Sequence, residues 1–284
     1  TEDKDYVIAS DTDSIYLHCG DLVDAVYKGR EKTTEGIVTF LNKVCEVELE
    51  PYIESSYQEL ADYVNAYDQK MIMKRENIAD RGIWTAKKRY ILNVWDSEGV
   101  RYEEAKLKIM GIEAIKTSTP APCRKFLKDA FKILMNGTED ECIEYIEKCR
   151  KEFKSLSPEE VSFPRTASNV EKWHSSADLY GKGCPIHIRG AILYNHWTKK
   201  KNIDHKYATI QNGEKIKFCY LKTPNWMHEN VISFIQDFPT ELDLHKHVDY
   251  DLQFSKSFLD PIKVILDCIG WETERKNTLE SFFS

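Results

Sequence analysis

Asp11 and Asp13 stand two positions apart in the turn Asp11-Thr12-Asp13-Ser14. The flanking runs Val7-Ile8-Ala9 and Ile15-Tyr16-Leu17 read as short strands, so residues 6–18 are expected to form a β-hairpin with both carboxylates at its tip. Joined by a third carboxylate, such a pair offers hard oxygen ligands to magnesium. Two metal ions about 3.5–4 Å apart activate an attacking hydroxyl and stabilise a leaving phosphate in nucleotidyl transfer. Taken alone, the tetrapeptide also fits an ordinary Asp-rich turn.

A second chemical signal is Thr85-Ala86-Lys87-Lys88-Arg89-Tyr90, read as entering a strand. Consecutive basic side chains on a strand alternate faces. Some can then reach a duplex minor groove while others hold phosphates. Minor-groove acceptors are nearly alike in all base pairs, so such contacts suit recognition independent of sequence. The plainer alternative for Lys87–Arg89 is a charged strand edge that discourages aggregation.

Charge is distributed to match. The 284 residues carry a formal net charge of −7. Yet residues 70–89 hold seven basic residues against two acidic ones, and residues 182–222 hold nine against two. Exposed charges more than about 10 Å apart are largely screened at moderate salt, so a basic stripe can bind phosphates despite a negative total. No apolar run of about 20 residues exists, which excludes a membrane-spanning helix. The eight cysteines form no C-x-x-C pair and have no histidines at zinc-ligand spacing, so they read as reduced, mostly buried thiols. His174 and His187 have no partner at ligand spacing either and read as structural.

The elements that must position these residues follow from periodicity. A helix is expected near residues 21–27. Ile37, Phe40, Leu41, Val44 and Val47 keep helical spacing within 34–67, interrupted or kinked at Pro51. Residues 70–109 read as an antiparallel meander turning at Asp96-Ser97-Glu98-Gly99. The prolines of Ser118-Thr119-Pro120-Ala121-Pro122 mark a boundary, after which the chain is expected to be mostly helical. Phe126, Leu127, Ala130, Phe131 and Leu134 form one stripe ending at Gly137, and Thr138 with Glu141 opens the next helix as a capping box. Further helices are expected at 185–198 and 260–269, the latter ending at Gly270, with a strand at 215–220.

The stretch Val7–Tyr16 resembles motif C of the family B DNA polymerases, Ala9-Ser10 replacing the usual Tyr-Gly before the two aspartates. The sequence Lys87-Lys88-Arg89-Tyr90 resembles that family's DNA-gripping motif, and Met73–Ala79 its strand approaching the active site. Leu92–Asp96, Lys106–Gly111, Ser118–Pro120, Cys184–Gly190 and Tyr194-Asn195 narrow the resemblance to the T-even-phage type, in one order along the chain. The resemblance implies an α+β chain with a partial palm (an antiparallel sheet with packed helices) at 1–117. A mostly helical thumb at 118–275 and a sliding-clamp-binding tail at 276–284 would follow. It further implies Asp13 as direct magnesium ligand and Asp11 as the less engaged catalytic carboxylate. Lys74, Lys87, Lys88, Arg89, Tyr90 and Arg189 would contact primer–template DNA, and Glu76 would lie near the metals without ligating them. Leu279, Phe282 and Phe283 would form a hydrophobic plug for a sliding clamp, with Lys276 where such boxes usually carry Gln.

Motif A, the nucleotide-binding fingers helix and the exonuclease acids are not found in these residues. The chain is therefore expected to be inactive alone and to assemble with an N-terminal polymerase chain that supplies them, acting on dNTPs in the cytoplasm of an infected bacterial host. A natural two-chain enzyme is favoured over a cut fragment, Thr1 being compatible with removal of an initiator Met. The reading from a different class is a non-catalytic module that binds duplex DNA and a clamp.

Overall fold

The computed structural model describes residues 4–175 and 178–275. The chain is α+β and divides into two compact units, Thr1–Met110 and Gly111–Ser284.

The first unit opens with the expected hairpin, β1 (Val7–Asp11) and β2 (Ser14–Leu17), paired in antiparallel register with Asp11 opposite Ser14. Thr12 takes the left-handed conformation that a two-residue turn requires (φ 55°), and Ser14 Oγ donates to the Asp11 carbonyl at 3.2 Å. Helix α1 (Gly20–Val26) follows. Helix α2 (Thr34–Val44) starts at Thr33, whose hydroxyl accepts from the Gly36 amide. Pro51 does not end the helical path. A π-helical turn over Cys45–Leu49 widens the coil ahead of it, and α3 (Glu50–Tyr63) continues with the proline in its first turn, where a missing N–H costs least.

The meander is as expected: β3 (Asn77–Ala86), β4 (Arg89–Ser97) and β5 (Val100–Met110) pair in that order, all antiparallel. Central β4 is covered on both faces, so Tyr90, Ile91, Leu92, Asn93, Val94 and Asp96 are all buried. Asp96 anchors the sheet to the helices. Its carboxylate accepts from the Arg75 guanidinium, which also bonds Asn42 of α2, and from the Gly99 amide at 3.0 Å. Arg101 faces the same carboxylate at 3.7 Å and donates to Thr39 of α2.

In the second unit, α4 (Ala121–Asn136) buries Phe126, Leu127, Ala130, Phe131 and Leu134 and ends at Gly137. Helix α5 (Glu139–Lys154) begins with the reciprocal Thr138–Glu141 capping box. Then come α6 (Pro158–Val161), β6 (Phe163–Thr166), α7 (Val170–Trp173), the short pair β7 (His174–Ser175) and β8 (Leu179–Tyr180), and α8 (Ile186–Lys200). Strands β9 (Lys215–Tyr220) and β10 (Val231–Phe234) complete a sheet of order β10-β9-β6. Helix α9 (Tyr250–Phe254) runs through a π-helical turn into α10 (Asp260–Ile269), which Gly270 closes in the left-handed conformation (φ 73°).

The region after the proline pair is mostly helical, as expected, with this small sheet added to it. Only β9 alternates strongly enough to be foreseen. Strand β10 is four buried residues and β6 is four residues containing a proline, both too short to show a period. Helix α8 lies tight on β10 because residue 190 is glycine: a Cβ there would come 2.8 Å from the Ser233 amide nitrogen.

Candidate nucleic-acid and metal site

The first unit brings its two hairpins together. A cleft of about 400 Å³ is lined by Ala9, Ser10 and Asp11 of β1, Tyr16 of β2, and Trp84, Lys87, Lys88 and Tyr90 around the β3–β4 turn, among other residues. Two segments far apart in sequence, each singled out for its chemistry, thus form one surface.

The carboxylates are not equivalent. Asp11 ends β1 half-buried, accepts from Thr12 Oγ1 at 3.2 Å and faces Lys88 Nζ at 3.7 Å. Asp13 sits in the turn, exposed, its amide donating to the Asp11 carbonyl at 2.7 Å. Among the described residues no group of three or more His, Cys, Asp or Glu side chains could hold a metal ion. The donor chemistry fits magnesium, since both groups are hard oxygen ligands and Asp13 is open to solvent. Two carboxylates on one turn make only part of an octahedral site.

Lys87 and Lys88 do not lie on a strand, as the sequence suggested. They form the turn between β3 and β4, and Arg89 opens β4 half-buried. The physical reason is the pairing of Ala86 with Arg89, which leaves these lysines as the loop. Both therefore project at the hairpin tip instead of alternating across a sheet. Lys88 adopts φ 61°, a conformation disfavoured for a side chain with a Cβ.

Tyr90 lines the cleft from a nearly buried position. It is 8% exposed, and its phenol shares a 2.9 Å hydrogen bond with the phenol of Tyr16. Burial, then the Tyr16 phenol and the charges of Glu76 and Asp11, push its pKa well above the usual phenol value. Sequence reasoning placed Tyr90 against DNA and overlooked Tyr16 and Trp84. A two-residue turn alone would set Thr85 opposite Tyr90; a register shift between Trp84 and Ala86, which the sequence did not signal, brings Trp84 there instead.

Glu76 is ion-paired with Lys108, which holds its carboxyl below the usual range. Lys74 is exposed in the irregular stretch ahead of β3 and is not among the cleft-lining residues. Arg189 belongs to α8 of the second unit. There its guanidinium bonds Asn230, faces Glu229 at 4.0 Å and lies over the Tyr180 ring. His187 is half-buried beside Phe218, and burial followed by the Arg165 charge lowers its pKa. All eight cysteines are free, and burial pushes Cys142 up to about 11 and Cys123, Cys149 and Cys219 up to about 12. Thiols so raised do not act as nucleophiles. Leu279, Phe282 and Phe283 lie outside the described residues.

A carboxylate-bearing hairpin and a basic hairpin turn thus line one cleft. No protein-family profile matches the chain. It is 31% identical over 295 residues to the DNA-directed DNA polymerase of Enterobacteria phage T4, and 34% identical over 296 residues to that of Escherichia phage RB69. Both similarities take in the whole chain and 32% of the relative, so the chain spans about a third of the length of these curated relatives. The match falls on their C-terminal third, so the chain is similar to the C-terminal part of these phage DNA polymerases.

Proposed function

We propose that this chain provides the C-terminal palm and the thumb of a replicative DNA polymerase. The observation that carries the reading is the convergence of the Asp11–Asp13 hairpin and the Lys87–Lys88 turn on one cleft. Magnesium bound there, with Asp13 as direct ligand, would supply charge stabilisation and an activated primer hydroxyl. Asp11, already engaged with Lys88 and Thr12, shapes the turn that presents Asp13. Lys87 and Lys88 grip the duplex near the primer end, with Arg89 at the strand start and Lys74 beyond the cleft. In the second unit the basic excess of residues 182–222, with Arg189 held by Glu229 and Asn230, serves the phosphates of the product duplex.

The remaining ligands come from polypeptide outside these 284 residues: a motif A aspartate, the fingers that bind dNTPs, and the exonuclease. The exposed apolar surface of the first unit supports such an assembly. Tyr52, Tyr63, Tyr67 and Ile72 face solvent, as do Val7, Ile8 and Ile15 of the hairpin. The clamp-binding tail rests on Leu279, Phe282 and Phe283 in the sequence. Among the described residues no helix is long and apolar enough to cross a membrane, in keeping with action on replicating DNA in the infected cell's cytoplasm.

The test is magnesium-dependent primer extension by the assembled enzyme carrying Asp13→Ala. Loss of a metal ligand is expected to lower the rate by about a thousandfold or more, with duplex affinity within about threefold of the parent. Extension that survives the substitution removes Asp13 from the metal site. Extension and binding both intact would favour the binding-module reading.

A further inference from the structure

Tyr16 and Tyr90 lie 74 positions apart, one on the carboxylate hairpin and the other two residues beyond Lys88. Their phenols meet at 2.9 Å beneath the cleft. Trp84 completes a ring cluster, edge-on to Tyr16 at 5.4 Å between centroids and tilted against Tyr90 at 6.1 Å, and Tyr16 meets Tyr90 edge-on at 5.5 Å. The Trp84 ring itself lies across Gly82, where a Cβ would come within 2.5 Å of it. The cluster therefore has one arrangement available to it. Packing alone would be served as well by phenylalanines. A part-buried phenol gains from a partner, and here each hydroxyl is the other's.

We propose that Tyr16 and Tyr90 form a positioning pair that locks the Asp11–Asp13 hairpin to the Lys87–Lys88 hairpin, so that the metal-binding carboxylate and the duplex-gripping turn keep a fixed spacing. The proposal rests on the polymerase reading above and assigns Tyr90 to this bond instead of to DNA. Tyr16 stands three residues after Asp13 on an extended strand, about 10 Å of chain, and Tyr90 follows Lys88 almost directly. Slack in the bond would displace the carboxylate relative to the gripped primer. A displacement of about 1 Å at a reacting centre can cost about a hundredfold in rate. The Asp11–Lys88 ion pair spans the same two hairpins at the rim, but Lys88 is largely exposed there and gives a weaker hold.

The experiment is a double-mutant cycle of Tyr16→Phe and Tyr90→Phe in the full chain, read by thermal unfolding and, in the assembled enzyme, by steady-state extension. Each single variant leaves one part-buried hydroxyl without its partner, whereas the double variant leaves none. The double variant is therefore expected to melt no lower than the worse single. Each single variant is expected to lower kcat about tenfold while nucleotide KM and duplex Kd stay within about twofold, and the double variant to be no slower than the slower single. Additive losses in melting and in kcat would overturn the pairing. Weaker duplex binding by Tyr90→Phe at unchanged kcat would return Tyr90 to a DNA contact. If the parent enzyme extends no primer in any assembly, the polymerase reading fails, and the unfolding cycle still decides whether the pair exists.

Discussion

In the unit Gly111–Ser284 the large aromatic side chains point inward: Phe131, Phe153, Phe234, Phe238, Phe254 and Phe258 are fully buried. In the unit Thr1–Met110 the reverse holds for much of α3 and the stretch after it, where Tyr63 is 86% exposed and Ile72 80%. Its buried apolar set among the described residues is small, chiefly Val38, Ala61, Ile78, Ile91, Leu92 and Val94. The first unit has in its place a buried polar anchor, Arg75–Asp96–Arg101, that ties sheet to helices. One unit closes its own core. The other leaves more apolar surface in solvent, and it is the one that carries Asp11 and Asp13. Under the proposed polymerase reading, a hairpin at such an edge could share a metal site with a second polypeptide surface, which a fully enclosed hairpin could not.

The sharpest way to break the comparison is Asp96→Ala. Removing one partner of a buried ion pair leaves the other charge unpaired, and unfolding of the first unit is expected to become easier by about 3–5 kcal/mol. Denaturant melts should show this in the first unit, with the second unchanged. A smaller effect, in the second unit, is expected from Gly190→Ala. The added Cβ would crowd the Ser233 amide nitrogen at 2.8 Å and the Ile232 carbonyl carbon at 3.0 Å, costing about 1–3 kcal/mol of overpacking in the same melts.

Lys88→Gly sharpens the contrast between stability and use. Glycine accepts φ 61° without strain, so the first unit should gain up to about 1 kcal/mol. On the proposed reading the variant would lose a phosphate contact, so the slope of log Kd against log salt for duplex binding should fall by about one. Salt-titrated fluorescence anisotropy measures it.

The smallest effect concerns Glu241, which is bonded by Lys206, Tyr207 and Thr240 and held down at about 2 by the Lys206 ammonium first of all. A carboxyl depressed in the folded state contributes stability above its ordinary pKa and loses it as pH falls toward the folded value. Acid unfolding of the second unit should therefore show a contribution disappearing between about pH 4.5 and 2, and Glu241→Gln should remove that component.

Much of the scaffold was legible because its signals are periodic or capped. The stripe of α4, the Thr138–Glu141 box, the Gly270 terminus of α10 and the carboxylate hairpin all appear where the residues place them. Alternation tells which residues share a face, but not how many faces are covered. Strand β4 lies between two neighbours and is buried on both sides, so Tyr90 is nearly buried while its ring still lines the cleft. The lysines were misplaced by two residues' worth of turn, which hydrophobic pattern does not register because both sit outside it. Tyr16 went unnoticed because its role depends on a partner 74 positions away, beyond any local pattern.

The central claim is that this chain carries part of a polymerase site and needs a second surface to complete it. Primer extension with magnesium tests it directly, first with the chain alone and then mixed with a polypeptide carrying a motif A aspartate and a fingers helix. The account predicts extension in the mixture alone, abolished by Asp13→Ala. Extension by the chain by itself would contradict it.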